Sequence, residues 1–170
     1  MKFSFRALSY AVPLTVAMAA VATPVIAHKG ATGVVKERMM LMSNLGKSMK
    51  ALAGMLKGKT PYDAASVKQH ARQLADHGNG AMTKLFPEGS LVKPSEARPE
   101  IWQDWEKFKS LAAQLTQAAQ SLEQAAGATP GTNLGGPSKH GMAAPGPVRA
   151  AFRNVGRACS ACHKVFRVKK

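Results

Sequence analysis

The sequence predicts an all-α fold, an antiparallel up-and-down four-helix bundle. Alanine, leucine and methionine dominate the apolar residues, and β-branched residues are fewer, which is typical of helices. Apolar residues recur at intervals of three and four along four separate blocks of the chain. No stretch alternates apolar and polar residues with the period of two that a half-buried strand shows, so we expect no sheet.

The four helical blocks span about residues 31–57, 63–85, 98–126 (with a start at 95 as the alternative) and 147–167. Gly58 ends the first block, and Asp63 is a candidate N-cap for the second. Gly78-Asn79-Gly80 interrupts the second block and predicts a frayed or kinked helix there. Residues 127–147, rich in Gly and Pro, are predicted to form a mobile loop, because bundle connections usually have about two to eight residues.

The most informative motif is Cys159-Ser160-Ala161-Cys162-His163, which reads C-x-x-C-H, the attachment signature of a c-type haem. Cys159 and Cys162, three apart on a helical turn, share a face and can form thioethers with the two vinyl groups of one porphyrin. His163 can then present an imidazole nitrogen to the iron as the proximal ligand. We therefore expect one covalently bound haem c, with its iron, against the last helix of the bundle.

Other uses of the motif fit this chain less well. A thiol–disulfide enzyme normally carries C-x-x-C at the start of a helix in a βαβ setting. A zinc site requires four ligands, and Cys159, Cys162 and His163 leave one missing. A structural disulfide between the two cysteines would close only a very short loop. No Ser/His/Asp set, paired carboxylates or phosphate-binding loop is evident, so we expect a protein that is not an enzyme.

Residues 1–27 are predicted to be a secretory signal peptide. A short cationic start is followed by the uncharged apolar residues 7–22, and Ala27 ends a plausible cleavage site. The apolar run contains a proline and is short for a bilayer span of about 20 residues, so a retained anchor is the weaker alternative. Cleavage after Ala27 would leave one mature domain, residues 28–170, in the periplasm, which agrees with the attachment of c-type haem after export.

The chain is strongly basic, with 24 Lys and Arg against 9 Asp and Glu and a formal net charge of +15. Loss of the signal peptide removes only two of these charges, Lys2 and Arg6. Such a surplus favours acidic protein partners or anionic surfaces. Since an exported protein rarely meets nucleic acid, we expect redox proteins as partners, acidic ones among them, and no nucleic acid.

Together these segments resemble the cytochrome c′ family, the class II c-type cytochromes. The C-x-x-C-H motif near the C-terminus, followed by Phe166-Arg167, carries the resemblance with three further segments: KGKTPYDA at 57–64, LFPEGS at 85–90 and RPEIW at 98–102. The resemblance covers nearly all of the mature chain and implies a four-helix bundle that holds one haem c. The long Gly/Pro-rich connection departs from the family pattern.

The resemblance also implies which residue faces the iron on its distal side. Family members divide into five-coordinate high-spin proteins, associated with binding nitric oxide or carbon monoxide, and low-spin electron carriers in which a methionine ligates the iron. The ligating position lies sixteen residues before the glycine of the first turn, which here is Met42, counted back from Gly58. Met39 and Met49 are the alternative ligands, and a methionine that only fills the core also stays open.

The resemblance favours a periplasmic electron carrier with His163 and Met42 as axial ligands, and the gas-binding protein is the alternative. Arg38, one turn before Met42, matches a haem-edge arginine of the family. Arg167, one turn after His163, is implied to contact a haem propionate or line the proximal side, with a helix-terminal cation as the alternative. The sequence predicts no stable membrane span and leaves open whether the protein is a monomer or a homodimer.

Overall fold

The computed structural model describes residues 30–128 and 144–168. The helices are α1 (Gly33–Leu56), α2 (Ala64–Asp76), α3 (Asn79–Thr83), α4 (Glu100–Gln103), α5 (Trp105–Gly127) and α6 (Gly146–Phe166). No strand occurs among these residues, only an isolated bridge between Ala97 and Arg167. The predicted signal peptide and residues 129–143 of the predicted loop lie outside the described residues. The all-α prediction is confirmed.

The bundle has four helical segments, and two of these are interrupted, so that each forms two consecutive helices. α1 and α6 follow the predicted blocks closely, whereas α2 and α3 share the second block and α4 and α5 the third. Asp63 caps α2 as predicted, because its carboxylate accepts hydrogen bonds from the backbone N–H groups of Ala65 at 3.4 Å and Ser66 at 2.8 Å. Asp104 separates α4 from α5 and caps α5 by accepting from the backbone N–H of Lys107 at 3.3 Å.

The break between α2 and α3 lies at Gly78, where the chain passes close to α5. A β-carbon at Gly78 would collide with the hydroxyl of Thr116 and lie 3.3 Å from the main-chain oxygen of Ala112. Asn79, the next residue, has a φ of 40° and is the first residue of α3. The glycine that the sequence predicted as an interruption therefore also permits close helix packing.

The protein core lies around α5, which packs against α2 on one side and α6 on the other. The largest fully buried side chains are Phe108, Leu52, Leu74, Ile101, Leu122, Val67, Val148 and Val155. Burial of each such side chain stabilises the fold by about 1.5–3 kcal/mol. α1 packs chiefly against α2, so that its other side faces a space between the helices.

Within residues 30–128 and 144–168, no helix combines the length and the apolar character needed to cross a bilayer.

Candidate haem site

A cavity of about 730 Å³ lies at the end of the bundle where α1 begins and α6 ends. α1, α5, α6 and the segment before α4 line it. Its volume is in the range of about 300–1,000 Å³ that cofactor sites occupy. Every site residue proposed from the sequence borders this one cavity: Arg38, Met42, Cys159, Cys162, His163 and Arg167.

Cys159 and Cys162 lie one turn apart on the cavity side of α6, where both are half-buried and packed against the core. They are not joined in a disulfide. Burial raises the pKa of the Cys159 thiol, and burial together with the neighbouring Cys159 raises the pKa of Cys162 to about 11. Because the thiolate is the reactive form in thiol–disulfide exchange, raised pKa values do not support the thiol–disulfide enzyme alternative.

His163 follows directly on α6, and its side chain opens onto the cavity. The surrounding protein lowers the pKa of the imidazole by removing water, and the positive charge of Arg167 lowers it further, while Glu96 opposes both. A lowered pKa favours the neutral imidazole, which is the form that binds a metal. His163 is therefore suited to ligate iron from the α6 side.

Methionines on α1, a different helix from α6, also line the cavity. Met42 is half-buried and packs against the core cluster, and the alternative ligands Met39 and Met49 also border the cavity. A thioether is a suitable soft ligand for haem iron. Methionines of α1 and His163 of α6 thus border the same cavity.

Arg38 borders the cavity but is 4% exposed, and its guanidinium is engaged by the chain that follows α3. It donates to the main-chain oxygen of Leu85, to the main-chain oxygen and hydroxyl of Ser90, and to the hydroxyl of Ser95. The guanidinium also lies 4.1 Å from the centroid of the Phe86 ring. Arg38 therefore holds the connecting segment against α1, a structural role that the sequence did not predict.

Arg167 forms an ion pair with Glu96, in which Nη2 and Nε lie 2.7 Å and 2.9 Å from the same carboxylate oxygen. Backbone hydrogen bonds from Arg98 to Phe166, at 3.0 Å, and from Val168 to Glu96, at 2.8 Å, join the same two segments. These contacts anchor the end of α6 just after the C-x-x-C-H motif. Sequence reasoning missed Glu96, and no local pattern around it indicates its distant partner.

Three aromatic rings form an apolar wall of the cavity. The ring of Phe108 lies with its centroid 4.8 Å from that of Phe86 and 5.5 Å from that of Phe166, both in edge-to-face contact. Trp105 packs on Phe108 at 5.3 Å, and the indole of Trp102 donates to the main-chain oxygen of Phe86 at 3.0 Å. The two tryptophans thus support the wall.

The residues around this cavity fit a haem c. Its mostly apolar walls can bury a porphyrin, two thiols one turn apart can take the thioether bonds, and an imidazole follows them. Among the described residues, no group of three or more His, Cys, Asp or Glu side chains is arranged to hold a metal ion directly. Cys159, Cys162 and His163 supply the two thiols and the imidazole that attachment of a c-type haem requires.

Known proteins agree with this reading of the cavity. A family model described as Cytochrome C' matches residues 33–167. Cytochrome c-556 of Agrobacterium tumefaciens (strain II Chrys) is 35% identical over 138 residues, covering 81% of this chain and 99% of that protein. A cytochrome c' of Cereibacter sphaeroides is 34% identical over 140 residues, covering 81% of this chain and 84% of that protein.

Solved structures show the same architecture. The cytochrome c' of Rhodopseudomonas palustris matches with a TM-score of 0.66 and 29% identity, covering 82% of this chain and 99% of that chain. The family match spans every described helix and the whole cavity lining. The chain therefore belongs to the cytochrome c′ family, whose cofactor is covalently bound haem c with its iron, as the sequence predicted.

Proposed function

We propose that this protein is a periplasmic single-haem electron carrier with no catalytic activity of its own. In it, Cys159 and Cys162 hold the haem, His163 is the proximal ligand and Met42 is the distal ligand. The observation that carries the proposal is that Met42 on α1 and His163 on α6 border one cavity. Export through cleavage after Ala27 is part of the proposal and rests on the sequence of residues 1–27.

The haem supplies a one-electron ferric/ferrous couple when bound. The protein determines how easily that electron is gained. The apolar wall of Phe86, Phe108 and Phe166 excludes water, which disfavours the more charged oxidised state. His163 and Met42 would occupy both axial positions, and methionine–histidine ligation raises a haem potential. A closed coordination sphere suits electron transfer rather than the binding of a second ligand.

Binding of nitric oxide or carbon monoxide is the second candidate function. It is favoured by a solved structure with 29% identity and a TM-score of 0.63, which is the nitric oxide complex of a mutant cytochrome c prime from Alcaligenes xylosoxidans. In this alternative, Met42 packs beside the distal face without bonding the iron, as apolar core methionines commonly do. The iron would then be five-coordinate and high-spin.

Redox proteins, acidic ones among them, are the proposed partners, and nucleic acid is not. A homodimer is compatible with the proposal. One similar solved structure, with 26% identity and a TM-score of 0.64, is a cytochrome c' with an unusual ligand-controlled dimer dissociation.

The absorption spectrum of the purified haem protein tests the ligation directly. We expect a low-spin wild type in both oxidation states that does not bind carbon monoxide readily. Met42→Ala should convert it to high spin and admit carbon monoxide, because the replacement has no atom that can bond iron. Met39→Ala and Met49→Ala remove methionines from the same cavity and serve as matched controls that should stay low-spin.

Two results would contradict the ligand assignment. A wild type that is already high-spin would favour the gas-binding function. A Met42→Ala spectrum that stays low-spin, with a change in Met39→Ala or Met49→Ala instead, would move the ligand to that methionine.

A further inference from the structure

The charge of this chain is unevenly distributed along its length. All nine acidic residues lie at or before Glu123, whereas basic residues continue to the C-terminus. As a result, α6 carries Arg149, Arg153, Arg157 and Lys164 and no acid at all. The other long helices differ: α1 contains Glu37, and α5 contains Glu106 and Glu123.

Three of these cations form one exposed row, which we call the arginine face: Arg149, Arg153 and Arg157. Their spacing of four places them on one side of α6, over about 12 Å at 1.5 Å per residue. All three are exposed, while Val148, Ala151 and Val155 on the opposite side are buried in the core. The row therefore points away from the bundle.

No carboxylate in the described part of the chain neutralises the arginine face. Arg149 and Arg153 make no side-chain hydrogen bond or ion pair with a described residue, and Arg157 donates only to the neutral side-chain amide of Asn154. By contrast, Arg72, Arg98 and Arg167 each pair with a carboxylate. The positive field of the arginine face is thus free to act on another molecule.

The arginine face leads to the haem cavity. Gly156 and Ser160, which flank Arg157 along α6, both border the cavity, and Cys159 lies between them. A partner seated on these arginines would therefore contact the helix that carries the haem-attachment motif. Short separation between cofactors is what an electron-transfer complex needs.

We infer that the arginine face is the docking surface for an acidic patch on an electron-transfer protein. The inference rests on the proposed electron-carrier function. Arginine forms paired, planar hydrogen bonds with carboxylates, and complementary charge accelerates encounter more than it prolongs the complex. The large exposed hydrophobic residues of the described chain are Met40, Val92 and Val168, none of them on α6, so this face has no apolar side chain to insert into a lipid surface.

The test uses the haem-loaded protein and a defined acidic probe, reduced plant-type [2Fe–2S] ferredoxin. One electron passes from the iron–sulfur cluster to the ferric haem, and stopped-flow absorbance follows the haem. The variant is Arg149→Gln/Arg153→Gln/Arg157→Gln, which keeps helix propensity nearly constant. The matched control is Lys50→Gln/Lys57→Gln/Lys59→Gln, which removes the same charge from exposed positions at the far end of α1 and the following turn.

At low ionic strength, we expect the arginine variant to lose about tenfold or more of the bimolecular rate, and the lysine control less than about twofold. The difference should disappear as salt screens the charges. Equal losses in the two variants would mean that only net charge matters and would overturn the docking assignment. Dithionite should fully reduce the haem in all three proteins. A failed docking assignment is thereby distinguished from a failed electron-carrier function, because in the second case neither ferredoxin nor dithionite would reduce the haem.

A lipid partner is distinguished by a second measurement. Co-sedimentation with vesicles of phosphatidylglycerol and phosphatidylcholine at physiological ionic strength should be weak for the wild type. Wild-type binding that the arginine variant alone loses, with unchanged ferredoxin rates, would overturn the proposal in favour of an anionic membrane surface.

Discussion

The guanidinium of Arg38 donates two hydrogen bonds to the main-chain oxygen of Leu85, from Nε at 3.0 Å and from Nη2 at 2.7 Å. The two residues lie 47 positions apart in the chain. Arg38 is nearly fully buried, so its charge is stabilised by these and its other hydrogen bonds and by the face of Phe86. One side chain of α1 thus positions the segment between α3 and α4, which lines part of the cavity.

Arg38→Lys should destabilise the haem-loaded protein even though it keeps the charge. A lysine ammonium cannot reproduce the planar fork that reaches Leu85, Ser90 and Ser95 together. We expect a loss of about 2 kcal/mol in the free energy of unfolding, measured by chemical denaturation. Lys36→Ala, at an exposed position of the same helix, should change stability by less than about 0.5 kcal/mol. Equal stability of Arg38→Lys and the wild type would show that the fork is dispensable.

Gly78→Ala should destabilise the packing of α2 and α3 on α5. The added β-carbon would collide with the Thr116 hydroxyl, which itself donates to the main-chain oxygen of Ala75 at 3.2 Å. Overpacking of this kind costs about 1–3 kcal/mol, which thermal or chemical unfolding would detect. Gly80→Ala is the matched control, because nothing lies within 4 Å of its β-carbon and the exchange should be neutral or slightly stabilising. If the two variants unfold alike, the close approach at Gly78 is not the reason for its glycine.

The N-cap at Asp63 should make part of the free energy of unfolding depend on pH in the acidic range. Hydrogen bonds from the side chain and then the backbone of Ser66 lower the pKa of Asp63 in the folded protein. Since the folded pKa is depressed, the stabilisation is fully present above the unfolded pKa of about 3.9 and is lost as the pH falls through the folded pKa. Asp63→Asn still caps but does not titrate, so its stability should fall less between pH 5 and the acid limit than that of the wild type. Parallel pH profiles for the two proteins would contradict this assignment.

Replacing both Cys159 and Cys162 with Ser should yield a protein without covalently bound haem. Acid–acetone extraction should leave colour on the wild type and remove it from the variant. The variant should also lose helicity and thermal stability together, because a group that binds only the folded state adds to its stability, and here it fills a cavity of about 730 Å³. Retention of haem by the double variant in a denaturing gel would contradict the assignment of Cys159 and Cys162 as the attachment residues. An unchanged melting temperature of the colourless variant would contradict the role of haem in stabilising the fold.

The helices and the centre of the haem site were predictable from the sequence because their signals are local. Apolar residues at intervals of three and four indicate a buried helix face wherever the partner helix lies, and Asp63 caps the residues that directly follow it. Cys159, Cys162 and His163 share one turn of one helix, so their joint position needs no knowledge of the rest of the fold. The choice of Met42 among the α1 methionines and the haem roles of Arg38 and Arg167 depended on family resemblance, and all three stay predictions.

The tertiary structure alone decided which distant residues meet. Glu96 and Arg167 are 71 positions apart, and Arg38 reaches Ser95 across 57, at spacings that no helical or strand period predicts. Likewise, the sequence indicated that Gly78 interrupts a helix, but only the approach of Thr116 on α5 shows why the position excludes a side chain. Helical periodicity and capping are determined by residues close together in the sequence. Ion pairs and close contacts between distant segments depend instead on where the packed helices place the backbone.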